Sequence, residues 1–334
     1  MRKITLILAA LTLCLTVSCN QNKDSYVEIS GYTQGGEFHV KFNTKGIKKS
    51  PEAICHDVDS ILTCLDTTMS GYNPGSVLSR YNRGERIQPN WVWGDIINRA
   101  THIYRITEGM VDVASAPLFD LWGFGFTGQD KTIPSDEELA KVRASCGMSN
   151  FDGNLYQAAP GLKFNFNAIA QGYSCDVVAN YLYLQGINDM LIDIGEIYVD
   201  GKNPAGQGWT IAIDSPVDGS KELGESIQGT WVSDGRKHGI VTSGNYRKFF
   251  IKDGKKYSHT IDPRTGMPVQ HNLLSATVMA EDACTADAMS TACMVMGLEK
   301  AKEFILNSSY EAFLIYDEDG VMKNWASPGF IVNR

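Results

Sequence analysis

Asp287 and Thr291 stand four residues apart in the C-terminal part of the chain. On a helix, that spacing puts a carboxylate and a hydroxyl on one face. Two hard oxygen donors suit Mg²⁺, which takes one or two protein carboxylates and leaves other positions to substrate phosphates. Surface decoration or capping explains most such pairs, so the spacing alone does not make a site. Upstream, Tyr257–Pro268 reads YSHTIDPRTGMP. It gathers His259, Asp262, Arg264 and Thr265 in a turn stiffened by Pro263, Gly266 and Pro268. An imidazole, a carboxylate and a guanidinium so close together are costly to bury without a partner. A bound ligand and a plain polar turn account for the composition equally well.

Two glycine-containing stretches, Thr242-Ser243-Gly244-Asn245 and Ile194-Gly195-Glu196, offer backbone N–H groups to an anion. There is no GxxxxGK[ST] and no GxGxxG following a strand, so neither a P-loop nor a Rossmann site is supported. GxSxG and HExxH are also absent. Leu121-Trp122-Gly123-Phe124-Gly125-Phe126 reads as core packing or as part of a site.

These residues need elements to position them. Val27–Asn43 reads as two strands around Gly35-Gly36. Ser50 and Pro51 open a helix in which Ile54, Val58, Leu62, Leu65 and Met69 recur at helical spacing. A second helix is predicted over Trp93–Glu108 with Gly109 as its stop. A third begins at the Ser135/Glu138 capping box, and a fourth covers Ala168–Gln185. Strands are predicted at Met190–Ile194, Trp209–Asp214, Gly239–Thr242 and Leu273–Ala280. Hairpins turn at Asp253-Gly254 and Asp319-Gly320. Ala283–Gly297 and Glu299–Leu306 read as helices. Helices and hairpins alternate without a βαβ rhythm, which favours a single large α+β domain with mixed or antiparallel sheets.

The chain has 334 residues and a net charge of −8, which argues against a nucleic-acid surface. Arg2 and Lys3 precede an apolar run from Ile4 to Val17, long enough for a signal peptide and short for a membrane span. Leu15-Thr16-Val17-Ser18-Cys19 resembles a lipobox. The expected organisation is a signal peptide over 1–18, a lipidated Cys19 with a tether to residue 26, and one domain over 27–334. An ordinary cleaved leader without lipid is the competing reading. The expected location is an exported lipoprotein on the cell membrane, facing the periplasm. The six cysteines that follow Cys19 show no zinc spacing. Cys55/Cys64 and Cys284/Cys293 are each nine apart in predicted helices and so face opposite sides, which favours free buried thiols.

Taken in order, several blocks resemble the ApbE family of FAD:protein FMN transferases. They are Met69-Ser70-Gly71-Tyr72-Asn73-Pro74 with Ser79-Arg80-Tyr81-Asn82, Gly109-Met110-Val111-Asp112 through Gly125, and Phe164–Tyr173. Thr242–Tyr246, Tyr257–Gly266 and Ala286–Ala292 complete the series, and these last three at their spacing are the most specific.

The resemblance implies a fold of the family's own α+β type and a reaction that splits FAD at its pyrophosphate. FMN passes to a Thr or Ser hydroxyl of a partner protein, a redox-complex subunit, and AMP leaves. It implies Mg²⁺ held by Asp287, Thr291 and a main-chain oxygen at Ala168. FAD contacts carry over onto Gln34, Tyr72, Met110, Val111, Asp112, Asn165, Gln171 and Ile261. His259 is the candidate for proton transfer or phosphate contact, with Asp287 sharing the work. Gln34, Asn165 and Gln171 depart from the family's common residues, whereas the metal positions match. Mg²⁺-dependent FAD hydrolysis to FMN and AMP, or flavin binding without catalysis, are the alternatives.

Overall fold

The structure, a computed structural model, describes residues 26–126, 130–216, 227–246 and 248–333. The predicted leader, Cys19 and most of the tether lie outside the described residues.

The chain opens with β1 (Tyr26–Thr33) and β2 (Gly36–Asn43), then α1 (Pro51–Met69), α2 (Val77–Asn82), α3 (Trp91–Ile106), α4 (Ala116–Leu121) and α5 (Asp136–Ser145). α6 (Ala170–Leu184) leads into β3 (Met190–Asp193), β4 (Ile197–Asp200), β5 (Thr210–Asp214), β6 (Ile227–Val232) and β7 (His238–Gly244). A hairpin of β8 (Phe249–Lys252) and β9 (Lys255–Ser258) follows, then β10 (Ile261–Asp262), β11 (Met267–Pro268) and β12 (Leu273–Ala280). α7 (Ala283–Met296), α8 (Leu298–Leu306), β13 (Glu311–Glu318) and β14 (Val321–Ala326) close the fold.

Among the described residues, one eight-stranded sheet runs β1-β2-β3-β4-β7-β12-β13-β14, antiparallel at every step. Alternate residues of β13 show that both faces are covered. Ala312 and Leu314 pack in the main core with α1, α6 and α7, while Phe313 and Ile315 join Trp209, Trp231 and Phe330 of the β5–β6 side. Eleven of the fourteen residues of α7 are buried, as expected of a helix apolar nearly all round. That helix lies on β7 and β12 and against α6.

The predicted α+β class and hairpin turns stand. The Ser135/Glu138 capping box forms, with each side chain bonded to the other's backbone N–H. α6 starts at Ala170, two residues after the predicted start, which leaves Ala168 in the preceding turn. Short elements escaped the sequence reading: β4, α2 and α4 have four to six residues, too few for a periodic signal. The six cysteines from Cys55 onward are free; four are buried, and Cys55 and Cys64 are partly buried.

Candidate active site

The elements converge on a cleft with about 270 Å³ of solvent-accessible space. Its walls include Tyr72, Met110, Val111, Asp112, Asn165, Ala168, His259, Ile261, Asp287 and Thr291. Ten of the twelve predicted site residues therefore meet in one place, from segments spread across the sequence.

Two do not line it. Gln34 sits at the β1–β2 turn with φ +48°, beside Gly35 at +83°, a geometry that matches strand twist. Its amide donates to Ser174 Oγ at 2.6 Å, which docks the hairpin on α6. Gln171 packs against Gly195, where an added Cβ would come within 2.4 Å of its Nε2. It thus supports the Ile194-Gly195-Glu196 loop, and it is Glu196 that reaches the cleft.

The turn after β9 also divides its labour. Arg264 donates twice to Asp262, from Nε and Nη2 at 2.9 Å each, and Thr265 donates to the Asp262 carbonyl. That network closes on itself outside the cleft. Only His259, Thr260, Ile261 and Pro263 of this segment face inward.

His259 is half-buried. Its ring Nδ1 lies 3.1 Å from the Lys248 carbonyl, and its backbone N–H donates to the same oxygen at 3.0 Å. A carbonyl only accepts, so Nδ1 carries the proton and Nε2 keeps its lone pair. Burial, followed by the nearby Lys248 ammonium, pulls the pKa down to about 4. The ring is neutral at pH 7.

Asp287 is 4% exposed. Burial pushes its pKa up to about 7, and the one hydrogen bond opposing this comes from the Gly172 N–H at 3.2 Å. In a regular helix start, that N–H would bond the carbonyl of Ala168, four residues earlier. Here it is diverted to Asp287. Among the described residues nothing donates to the Ala168 carbonyl. Thr291 Oγ1 lies 3.2 Å from Ser243 Oγ, which also meets Ser290 Oγ at 2.8 Å. A buried carboxylate with one donor, a released carbonyl and a hydroxyl form an all-oxygen set, the chemistry a hard divalent cation requires. The residues fit the metal that the resemblance implies.

The remaining contacts are polar anchors. Asp112 accepts from the backbone of Ala114 at 2.8 Å and Met148 at 3.1 Å, while burial raises its pKa. Asn165 Oδ1 accepts from Asn167 N at 2.9 Å, leaving its amide hydrogens for a ligand. Tyr72 is 67% exposed and held edge-on by Phe126 at 4.9 Å between ring centres. Phe124 lines the cleft while Trp122 is wholly buried, so the aromatic stretch serves both readings. Lys248 and Phe119 line it too, without a motif that marked them.

The sequence profile of the ApbE family matches residues 28–314. The chain belongs to the ApbE family. An FAD:protein FMN transferase of Vibrio cholerae is 34% identical over 97% of both chains. One from Escherichia coli is 33% identical over 98% of this chain and 96% of its own. The solved flavin transferase ApbE from Vibrio cholerae superposes with a TM-score of 0.78, covering 92% of this chain and 99% of that one. The apo flavinyl transferase ApbE of Pseudomonas stutzeri gives 0.81 at 31% identity, covering 93% and 97%.

Proposed function

We infer that this protein is an FAD:protein FMN transferase that cleaves FAD and passes FMN to a Thr or Ser hydroxyl of an acceptor protein. The observation that carries this reading is the meeting of His259 with the Ala168–Asp287–Thr291 oxygen set in one cleft, in a chain whose near-full-length relatives bear that name.

The reaction forms a bond between the acceptor oxygen and the FMN-side phosphorus. It breaks the bond from that phosphorus to the bridging oxygen, which leaves with AMP. The acceptor hydroxyl must lose its proton, and the free Nε2 of His259 is the group arranged to take it. Asn165 and Tyr72 hold and orient the nucleotide, while Asp112 fixes the loop that carries Met148. Mg²⁺ would be held by Asp287, Thr291 and the Ala168 carbonyl, and when bound it supplies charge neutralisation at the pyrophosphate. Positioning and charge compensation, rather than covalent catalysis, then dominate the rate.

The predicted leader supports export, with Cys19 as the lipid-bearing residue on the periplasmic face of a membrane. An acceptor in a membrane-bound redox complex suits that location.

The test incubates purified protein, FAD and Mg²⁺ with a redox subunit that carries an unmodified acceptor threonine. Fluorescent flavin on the acceptor band in a denaturing gel is the expected result. FMN appearing only in solution would replace transfer with hydrolysis.

A further inference from the structure

We propose that the β8–β9 ribbon docks the acceptor protein by recognising acidic side chains that flank the acceptor hydroxyl. This rests on the transfer reading above and names the partner chemistry of the same site.

Lys248, Lys252, Lys255 and Lys256 fall within nine residues that hold one acidic residue, Asp253, in a protein of net charge −8. Lys131 joins them from the side, donating to the Phe249 carbonyl at 3.3 Å. Lys131, Lys252 and Lys255 are exposed and form no ion pair among the described residues. Lys131 and Lys255 instead lie over the rings of Phe124 and Tyr257, at 5.6 and 5.5 Å. Ile251 on the same ribbon is 66% exposed and adds an apolar contact. The patch thus combines the unpaired Lys131, Lys252 and Lys255 with aromatic and aliphatic surface, a composition suited to a polypeptide with carboxylates.

The ribbon is stiff. Trp122, Tyr257, Phe250 and Phe124 form a ladder with ring-centre spacings of 5.7, 5.1 and 5.7 Å. Asp253 and Gly254, with φ of +51° and +73°, make the tight turn at its tip. Its base is tied to chemistry, because the Lys248 carbonyl holds His259. The ribbon base borders the cleft through Lys248, so an acceptor docked on the ribbon lies beside the site. Lys248 lines the cleft and Lys252 does not; Lys252 lies four residues further on, about 13 Å along a strand.

The experiment compares wild type with Lys252→Glu/Lys255→Glu, neither residue lining the cleft. FAD binding is read by flavin fluorescence, and acceptor binding to the FAD-loaded, chelator-treated full chain by calorimetry. The chelated measurement needs no turnover, so failure of wild type to label the acceptor sinks the transfer reading separately. The double variant should weaken acceptor binding at least about fivefold and flatten its salt dependence, with FAD affinity unchanged. Changing acidic residues beside the acceptor threonine to lysine should restore binding to the variant. Unchanged acceptor affinity overturns the proposal. So does a shift in FAD affinity, which would make the ribbon part of the nucleotide site. Loss of binding to phosphatidylglycerol vesicles, with acceptor affinity intact, would assign the lysines to lipid headgroups instead.

Discussion

The backbone N–H of Gly172 on α6 donates to the carboxylate of Asp287 on α7. The favour is returned one turn away: Asp176 on α6 accepts from Ala283 and Cys284, the first two N–H groups of α7, at 2.8 and 3.0 Å. Each helix start is thus capped by a carboxylate of the other. Arg99 lies 3.7 Å from both Asp176 and Asp282 and balances the buried charge. The relative position of Ala168, Asp287 and Thr291 follows from this paired clamp.

Gly172→Ala tests the clamp. A Cβ there would stand 2.3 Å from the Ala283 carbonyl oxygen and 2.9 Å from Asp287 Cβ. Alanine is the better helix former by about 1 kcal/mol, so helix propensity alone predicts a gain. We expect a net loss of about 1–3 kcal/mol in chemical unfolding because the helices must part. Mn²⁺ titration should show weaker binding. A stabilised variant with unaltered ion affinity would contradict the geometry.

Asp287→Asn removes a charge while nearly keeping the volume. The charge is buried with a single donor, so its loss should leave the metal-free protein as stable or more so. Mg²⁺ should raise the wild-type melting temperature, as a ligand of the folded state does, and leave the variant unmoved. Transfer should fall at least about 100-fold. A variant that still responds to Mg²⁺ in thermal scans would place the ion elsewhere.

His259 sets a pH dependence with a definite sign. Folding lowers its pKa from 6.5 to about 4, so the neutral ring is the favoured form. Its contribution to stability is complete above pH 6.5 and lost as pH falls through 4. The imidazole C2-H signal assigned to His259 should titrate near pH 4 in the free protein and vanish in His259→Gln. The acid limb of kcat/KM for the acceptor should accordingly fall below about pH 5. His259→Ala should cost about 10²–10⁴ in transfer. Undiminished transfer would remove the residue from catalysis.

Thiol chemistry offers a simple check on the core. Burial raises Cys146 to about 11 and Cys293 to about 12, and lifts Cys175 and Cys284 as well. At pH 8 a disulfide reagent should leave these four unmodified in the folded protein and react with all of them in denaturant. Rapid native labelling at Cys293 would show that α7 is not docked.

Periodicity and turn chemistry made much of this fold legible. Asp253-Gly254 and Asp319-Gly320 marked their hairpins, and Ser50-Pro51 marked α1. The site was legible only where chemistry followed from local spacing or from motif resemblance. The face shared by Asp287 and Thr291 was readable from four-residue spacing. The diversion of the Gly172 N–H was not, because it depends on two helices meeting across 115 positions. Gln34 and Gln171 came only from the resemblance, and their contacts to Ser174 and Gly195 join segments far apart in the chain, which no local spacing reveals. Arg264 illustrates another limit, since composition cannot reveal that Asp262 satisfies it.

The order of the main sheet has a consequence for synthesis. Its strands appear across the sheet in the same order as along the chain, from β1 to β14. A polypeptide emerging N-terminus first, from a ribosome or a translocation pore, always finds the partner of its newest strand already delivered. No strand has to be inserted later between two that have paired. The order permits vectorial assembly, in which the growing edge passes from each strand to the next and unpaired backbone is exposed only briefly.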